Sequence, residues 1–273
     1  MAASPTLRTT GFRSYLGTLF LGAFNDNAFK LVVSLLAVNL IVREDGKSLY
    51  VALASGLFTV PFVLFSTYAG FLADRFSKKT ITVWIKVAEI VIMALGGLAF
   101  WLGSVHLAIF TLFLMGTQSA VFSPAKYGLL PEMLPDEQLS RGNGLVQMWT
   151  FLAIIFGTAA GGQISHFFAG RLHLTAIVFV GVAVIGTVAS LFITPVAPAR
   201  STKRFEIFFL RDLYRTLKEV AADKPLFLCV LGSAYFWFLG AFFQMNILLY
   251  AKRLMGLDDM ASGYLLTAVA LGI

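Results

Sequence analysis

Apolar residues along this chain come in long unbroken runs, not in the one-face or alternating patterns of a soluble domain. The runs cover 15–41, 50–73, 81–102, 105–122, 144–164, 174–193 and 226–250, and another begins near residue 261. An α-helix needs roughly 20 apolar residues to cross a hydrocarbon core of about 30 Å. The pattern therefore predicts seven complete membrane spans and the start of an eighth. Short segments rich in charge, glycine and proline separate most of the runs, as turns between helices require. The connection after the sixth run is longer. It opens with the breaker segment PVAPARSTKR and continues as FEIFFLRDLYRTLKEV. There Leu210, Leu213, Leu217 and Val220 recur at helical spacing, with Arg211, Arg215, Lys218 and Glu219 on the other faces. Such a helix suits a membrane surface. Asp223, Lys224 and Pro225 close it before the seventh run.

Composition sharpens this picture. Hydrophobic residues make up 58% of the 273 and charged residues 13%, about half the usual globular share. Mean hydropathy is +0.83. A soluble enzyme is excluded, and a polytopic helical membrane protein is expected. The single cysteine, Cys229, allows no intrachain disulfide. The opening MAASPTLRTTGFRS lacks the compact apolar core and small-residue cleavage site of a signal peptide.

The net charge of +7 reflects membrane orientation and does not call for nucleic acid. With the N-terminus inside, Arg8, Arg13, Arg75, Lys78, Lys79, Lys126, Arg141, Arg200, Lys203, Arg204, Arg211, Arg215, Lys218 and Lys224 fall on the cytoplasmic side. Arg43, Lys47, Arg171, Lys252 and Arg253 fall on the other. Lysine and arginine concentrate in cytoplasmic loops, so the N-terminus is expected in the cytoplasm. Lys30 and Lys86 lie within runs.

An internal repeat suggests two halves. FLGAF occurs at Phe20–Phe24 in the first run and at Phe238–Phe242 in the seventh. Parallel six-helix repeats make those two runs equivalent. The expected organisation is a six-helix bundle over 1–199, a cytoplasmic linker with an amphipathic helix over 200–225, and a second bundle beginning at 226–273. The sequence ends inside its eighth run, so a fragment of a longer protein, of twelve spans, is expected.

The turn after the second run reads GFLADRFSKK. Gly70 would let two helices approach. Asp74 sits at a helix end, where it can pair with a base or cap a neighbouring N-terminus. Arg75, Lys78 and Lys79 offer contacts that can form in one state and break in another. This turn resembles the signature of the major facilitator superfamily at the same place, with Ser77 where that family usually has glycine. The resemblance implies an all-α transporter fold with this turn as a gating loop. GTAAGG, Gly157 to Gly162, suits close helix packing in lipid. It loosely resembles the superfamily's glycine-rich fifth-helix motif, without its proline.

FLGAFNDNAFK, residues 20–30, places polar groups deep in the first run. Asp26 is roughly 16 Å in at about 1.5 Å per residue. Glu89 is at similar depth in the third run. Lys30 is one turn from Asp26, and Lys86 is three residues from Glu89. Each span therefore carries an opposite-charge pair on one face. Lys86 is near enough to the inner side to snorkel. A charge at mid-membrane costs about 2.5–3.5 kcal/mol on insertion scales, which makes Asp26, Lys30, Lys86 and Glu89 candidates for substrate binding or gating. Two neutralised pairs that merely hold the bundle are the structural alternative. Asn25 and Asn27 serve equally as headgroup donors or as partners of neighbouring helices. Gln244 and Asn246, in the matching part of the seventh run, are expected to face them.

The segment VFSPAKYGLLPEMLPDEQLSRGNG, 121–144, carries three prolines. Pro124 is expected to break the fourth helix, and Pro131 and Pro135 to prevent one continuous helix. Lys126 sits at the mouth of the bundle. Together with FNDNAFK, the segment closely resembles the lysophospholipid transporter branch of the major facilitator superfamily, also found as the N-terminal part of fusions with a 2-acylglycerophosphoethanolamine acyltransferase and an acyl-carrier-protein synthetase. The resemblance implies a bacterial inner-membrane protein. It would carry lysophospholipids, chiefly lysophosphatidylethanolamine, from outer to inner leaflet by alternating access for reacylation. Lys126 becomes a candidate for the headgroup phosphate, against an inside-positive anchor as the plain alternative. Membrane lipids and an acyltransferase or acyl-carrier-protein synthetase, fused or separate, are the implied partners.

No catalytic constellation, metal-ligand spacing or cofactor motif is visible. His106, His166 and His173 are isolated near the outer side, and HxxxxD and nucleotide-binding loops are missing from the sequence. Two rivals remain: a proton-coupled carrier of small amphiphilic or drug-like solutes, with Asp26 or Glu89 as proton carrier, and a non-transporting membrane anchor for acyltransferases.

Overall fold

The computed structural model of the chain describes residues 7–40, 44–197 and 209–271. Arg43, Arg200, Lys203 and Arg204 lie outside the described residues, as do the side chains of Lys47, Leu210, Arg211 and Leu213. The described backbone forms α1 (Thr10–Leu40), α2 (Glu44–Arg75), α3 (Lys78–Trp101), α4 (Val105–Met133) and α5 (Asp136–Phe167). A short 3-10 turn (Leu172–Leu174) leads into α6 (Thr175–Leu191). Then come α7 (Phe209–Ala222), α8 (Lys224–Arg253) and α9 (Asp259–Leu271). Seven of these, α1 to α6 and α8, are long and apolar enough to cross a membrane.

The helices overrun the apolar runs wherever nothing stops them. The largest departure is at α4, which passes straight through Pro124 and Pro131. The expected break at Pro124 does not occur. A proline inside a helix removes one hydrogen bond and costs about 3 kcal/mol in isolation, but a packed bundle can hold the helix together around the freed carbonyl. Ala125, Leu129 and Leu130 are buried, and the Tyr15 hydroxyl donates to the Lys126 carbonyl at 2.5 Å. The break comes at Pro135 alone. Proline drives its preceding residue out of helical geometry, and Leu134 is extended, at φ −127 and ψ 146. α5 starts at once, earlier than its apolar run, with Asp136 and Glu137 in a first turn where acidic side chains favour the helix dipole.

α1 is the central element. It packs against α5 and α6 along its length and also touches α2 and α4. α2 pairs with α4, and α3 lies between α4 and α6. The main core is built on Phe29, Val32, Val33 and Leu36 of α1, with Met93, Leu112, Met115, Phe179 and Ala183 around them. Phe29 meets Phe179 edge-to-face at 5.3 Å and Phe100 at 5.4 Å. α9 joins mainly through α5, whereas α8 packs only by its C-terminal part, where Leu248 meets Leu31, Leu35, Val51 and Leu266. Its most apolar window has no buried residue, and Phe236, Trp237, Phe238 and Phe242 are exposed. The repeated FLGAF takes one geometry in both places, with Phe20 on Phe24 and Phe238 on Phe242 each stacked at 6.2 Å. In α7, Arg215 and Glu219 pair at 3.1 Å across one turn, and Tyr214 and Leu217 stand exposed.

The two ends of the bundle are tied differently. At the N-terminal end, Leu7 donates its amide to Gln138 at 3.2 Å, and Ser77 donates to the Val196 carbonyl at 2.9 Å. Buried Lys78, its stem lying along Gly128, pairs with Glu132. At the opposite end, Asp259 gathers donors from three helices: Asn39 of α1 at 3.2 Å, Ser165 of α5 and Lys252 of α8.

The glycines expected to serve packing do so. A Cβ on Gly157 would lie 2.5 Å from the Phe24 carbonyl oxygen, and one on Gly161 would lie 2.8 Å from that of Ala28. α5 therefore rides directly on the α1 backbone. Gly144, in the same helix, has open space around it. Gly157→Ala is expected to lower the melting temperature of the detergent-purified protein, by an overpacking cost of about 1–3 kcal/mol. Gly144→Ala should leave it unchanged or raise it slightly. Equal melting of the two variants would contradict the close crossing.

Candidate functional site

A cavity of about 210 Å³ opens among α1, α2, α3 and α4. At about 30 Å³ per water, it has room for several waters or a small polar headgroup. Its lining carries Asp26, Lys86, Glu89, Gln118, Ser119, Ser123 and Lys126, with Phe62 and Tyr127 among the aromatic walls. Four of the charged residues expected from sequence thus meet in one place.

The deepest of them form a fixed pair. Lys86 and Glu89 make an ion pair three residues apart on α3, with side chains only 2% and 1% exposed. Glu89 also accepts from Asn25 at 2.9 Å, and the same Asn25 amide reaches the Phe179 carbonyl at 3.2 Å. Space for the lysine comes from two glycines: a Cβ on Gly22 would sit 2.9 Å from Lys86 Nζ, and one on Gly186 would sit 3.0 Å from its Cε. Thr187 of α6 donates to the Lys86 carbonyl at 2.9 Å. Lys86 is therefore enclosed by α1 and α6 and does not snorkel to the bundle end.

Asp26 behaves differently from expectation. It forms no ion pair with Lys30, one turn away. Its Oδ2 accepts from Ser119 of α4 at 2.8 Å, while Oδ1 is buried without a partner. Lys30 turns to the other side of α1, with Nζ 5.7 Å from the centre of the Phe58 ring. It lines a second, much smaller cavity of about 20 Å³ with Asn27, Ser34, Thr158 and Gln244. Spacing made the Asp26–Lys30 pair available, but tertiary partners on α4 and α2 took the two residues instead. Asn27 donates to its own helix, at the Ala23 carbonyl, 2.8 Å away. Lys126 reaches Thr150 of α5 at 3.3 Å and lies 5.2 Å from the centre of the Tyr127 ring.

The seventh span splits its two expected residues. Gln244 reaches the Lys30 cavity. Asn246 does not face the α1 polar segment. It donates to the Phe242 carbonyl at 2.8 Å and lines an open groove with Ser48, Tyr250 and Arg253. At the turn between α2 and α3, nothing lies within 4 Å of a Cβ on Gly70, so this glycine permits no close crossing here. Asp74 is half-buried, Arg75 is exposed over Phe71 at 5.8 Å, Lys78 is buried in its pair with Glu132, and Lys79 is half-buried.

Sequence reasoning passed over Gln118 and Ser119. They are uncharged and sit in the fourth apolar run, where a charge-led reading does not stop. Adjacent amide and hydroxyl groups at mid-span were the available signal. His106 bonds Tyr50 at 2.8 Å, and His166 lies 3.5 Å from Asp258. No group of metal-ligating side chains occurs among the described residues.

The profile of the Major Facilitator Superfamily matches residues 17–273. The chain belongs to that superfamily. Two relatives are both named lysophospholipid transporter LplT. One, from Pectobacterium carotovorum subsp. carotovorum (strain PC1), is 28% identical over 93% of this chain and 60% of that protein. The other, from Enterobacter sp. (strain 638), is 29% identical over 98% of this chain and 65% of that protein. The chain thus spans less than two thirds of the length of these curated relatives. In structure it resembles a bacterial homolog of the human lysosomal transporter Spinster, solved inward-facing and unoccupied, with TM-score 0.67, 18% identity, and coverage of 97% of this chain and 60% of that one. That likeness supports the superfamily fold.

The ion pair makes a sharp prediction. Lys86→Met leaves Glu89 buried without its cation, and breaking a buried pair from one side costs about 3–5 kcal/mol. The double variant Lys86→Met, Glu89→Gln keeps an acceptor for Asn25 and removes both charges. It should recover most of the lost thermal stability in detergent. If the double variant melts no higher than the single one, the pair is not what holds this site.

Proposed function

We propose that the protein carries lysophospholipids of the lysophosphatidylethanolamine class from the outer to the inner leaflet of a bacterial inner membrane, for reacylation. One observation carries this reading. A cavity bearing both an acid, Asp26, and a base, Lys126, lies among the helices of a largely apolar bundle. A zwitterionic headgroup matches both signs, with its phosphate toward Lys126 and its amine toward Asp26. The acyl chain stays among apolar helix faces or in lipid. The names of the relatives support the same substrate class.

The cycle we propose is alternating access between two bundles, with α1 to α6 as the first, α7 as a cytoplasmic linker helix, and α8 and α9 opening the second. The basic loops favour an N-terminus in the cytoplasm. In that orientation the Asp259 cluster closes the outer end, joining α1 and α5 to α8 and α9. The turn 70–79 sits at the inner end, where Asp74, Arg75 and Lys79 are available to exchange partners as the bundles rock. Small cavities between helices and two-bundle rocking are the usual means of such carriers. An acyltransferase or acyl-carrier-protein synthetase, fused or separate, would consume the product.

A second reading keeps the fold and changes the cargo. Asp26 and Glu89 line one cavity, which would suit a proton-coupled carrier of small amphiphiles.

The test uses the full-length protein in vesicles that contain inward acyltransferase activity. Labelled lysophosphatidylethanolamine is added outside, and its conversion to diacyl lipid is followed. Loss of one charge-assisted contact is worth about 1.5–3 kcal/mol, so Asp26→Asn should reduce protein-dependent conversion about tenfold or more. No protein-dependent conversion would sink the lipid reading. Full conversion by Asp26→Asn would keep the cargo and remove the carboxylate from its path. Collapse of uptake with an uncoupler would favour the proton-coupled reading.

A further inference from the structure

Two acceptors in the main cavity have no donor. They are Asp26 Oδ1 and Gln118 Oε1, both buried, on residues that line the same space. Gln118 is only 9% exposed. None of the nearby donors reaches them. The Ser119 hydroxyl gives its one hydrogen to Asp26 Oδ2. Lys86 is held by Glu89. The Asn25 amide serves Glu89 and the Phe179 carbonyl. Lys126, in the same cavity, donates to Thr150 at 3.3 Å and hydrogen-bonds neither orphan oxygen. A buried amide oxygen in a membrane helix is costly unless something donates to it.

We propose that Asp26, Gln118 and Ser119 form a subsite for a primary ammonium group, and that Gln118 selects primary over quaternary amines. The inference rests on the lysophospholipid reading and deepens it. A protonated primary amine carries three N–H donors and one positive charge. Asp26 Oδ1, Gln118 Oε1 and the free lone pair of Ser119 Oγ supply three acceptors, and the carboxylate supplies the opposite charge. Each N-methyl group removes one donor and adds bulk. A trimethylated amine keeps the charge, which still answers the Asp26 carboxylate, but leaves the neutral Gln118 Oε1 without a donor. Sites built to donate to or accept from a substrate reject analogues that lack the matching group far more strongly than apolar pockets do. Asp26 alone would attract both amines, because charge is common to them. The discrimination therefore falls to the uncharged acceptor, Gln118.

The test is a methylation series in the vesicle assay with the full-length protein. Unlabelled lysolipids of one acyl chain, with ethanolamine, N-methyl, N,N-dimethyl and choline headgroups, compete against labelled lysophosphatidylethanolamine. Competition by the parent should weaken stepwise, to about tenfold at choline, the scale of one lost hydrogen bond. Gln118→Leu should flatten the series to within about threefold, and Gln118→Glu, which keeps an acceptor, should preserve it. A parent that takes choline as well as ethanolamine overturns the proposal. So does a Gln118→Leu series identical to the parent's. So does activity that requires sodium over N-methylglucamine and ignores methylation, which would assign the acceptors to a metal ion. If no lysolipid is converted at all, the transport reading fails separately. The subsite is then judged by melting of the purified protein with the same four lipids, and a flat response overturns it.

Discussion

A lysine and a glutamate buried side by side in a membrane bundle dictate much of what surrounds them. Neither can be left alone, because an unpaired charge in a low-dielectric interior costs far more than the pair. Lys86 and Glu89 settle this within α3, but a single ion pair does not use all their hydrogen-bonding capacity. Asn25 supplies the second ligand to Glu89, from α1. Gly22 and Gly186 make room for the lysine stem from α1 and α6. Three helices are therefore held in register by one pair. Because that pair is self-contained, Asp26 and Lys126 are left to face the cavity.

The polar segment of α1 works by distributing its residues around the helix. Successive positions turn by about 100°. Asn25 accordingly points at α3 and α6, Asp26 at α4, and Asn27 with Lys30 toward the side where Gln244 approaches. One short stretch of sequence thereby serves three interfaces. A run of four polar groups on one face would instead have split the bundle, since one neighbour cannot satisfy them all.

This division marks the limit of what the sequence discloses. The spans were legible because membrane thickness sets their length. The Lys86–Glu89 pair was legible because helical spacing brings the two side chains together whatever else is near. Gly157 and Gly161 were legible because small residues in an apolar helix have few other uses. The Asp26–Lys30 pair had the same local warrant and failed, because Asp26 takes its hydrogen bond from Ser119 of α4 and Lys30 lies over the Phe58 ring of α2. Pro124 failed as a breaker for the same reason: tertiary packing held α4 through it. Asn246 went astray because counting along the seventh span fixes depth but not facing. Gln118 was missed because an uncharged amide raises no alarm in a scan for charges. Apart from Gln118, these misses concern which neighbour a residue meets, and that is a property of the assembled bundle.

The contacts within the bundle and those across it also differ in kind. Lys86, Glu89, Asn25 and Gly186 belong to α1, α3 and α6, which pack tightly against one another, so their arrangement can persist while other parts move. The contacts that reach α8 and α9 include exchangeable groups at one end, with Asp259 taking hydrogen bonds from Asn39, Ser165 and Lys252. Below them, α5 and α9 meet at Gly162 and Gly263, where a Cβ on either would lie 2.8 Å from the other's Cα. Leu248 of α8 and Leu266 of α9 also pack on Leu31, Leu35 and Val38 of α1 and on Val51 of α2, so moving α8 and α9 would open this small apolar cluster while leaving the main core around Phe29 intact. The proposed headgroup site lies beside the Lys86–Glu89 pair and away from the Asp259 clasp. The enclosed Lys86–Glu89 pair and the Asp259 clasp thus belong to different parts of the bundle, and that division follows from which helix each charge was assigned to.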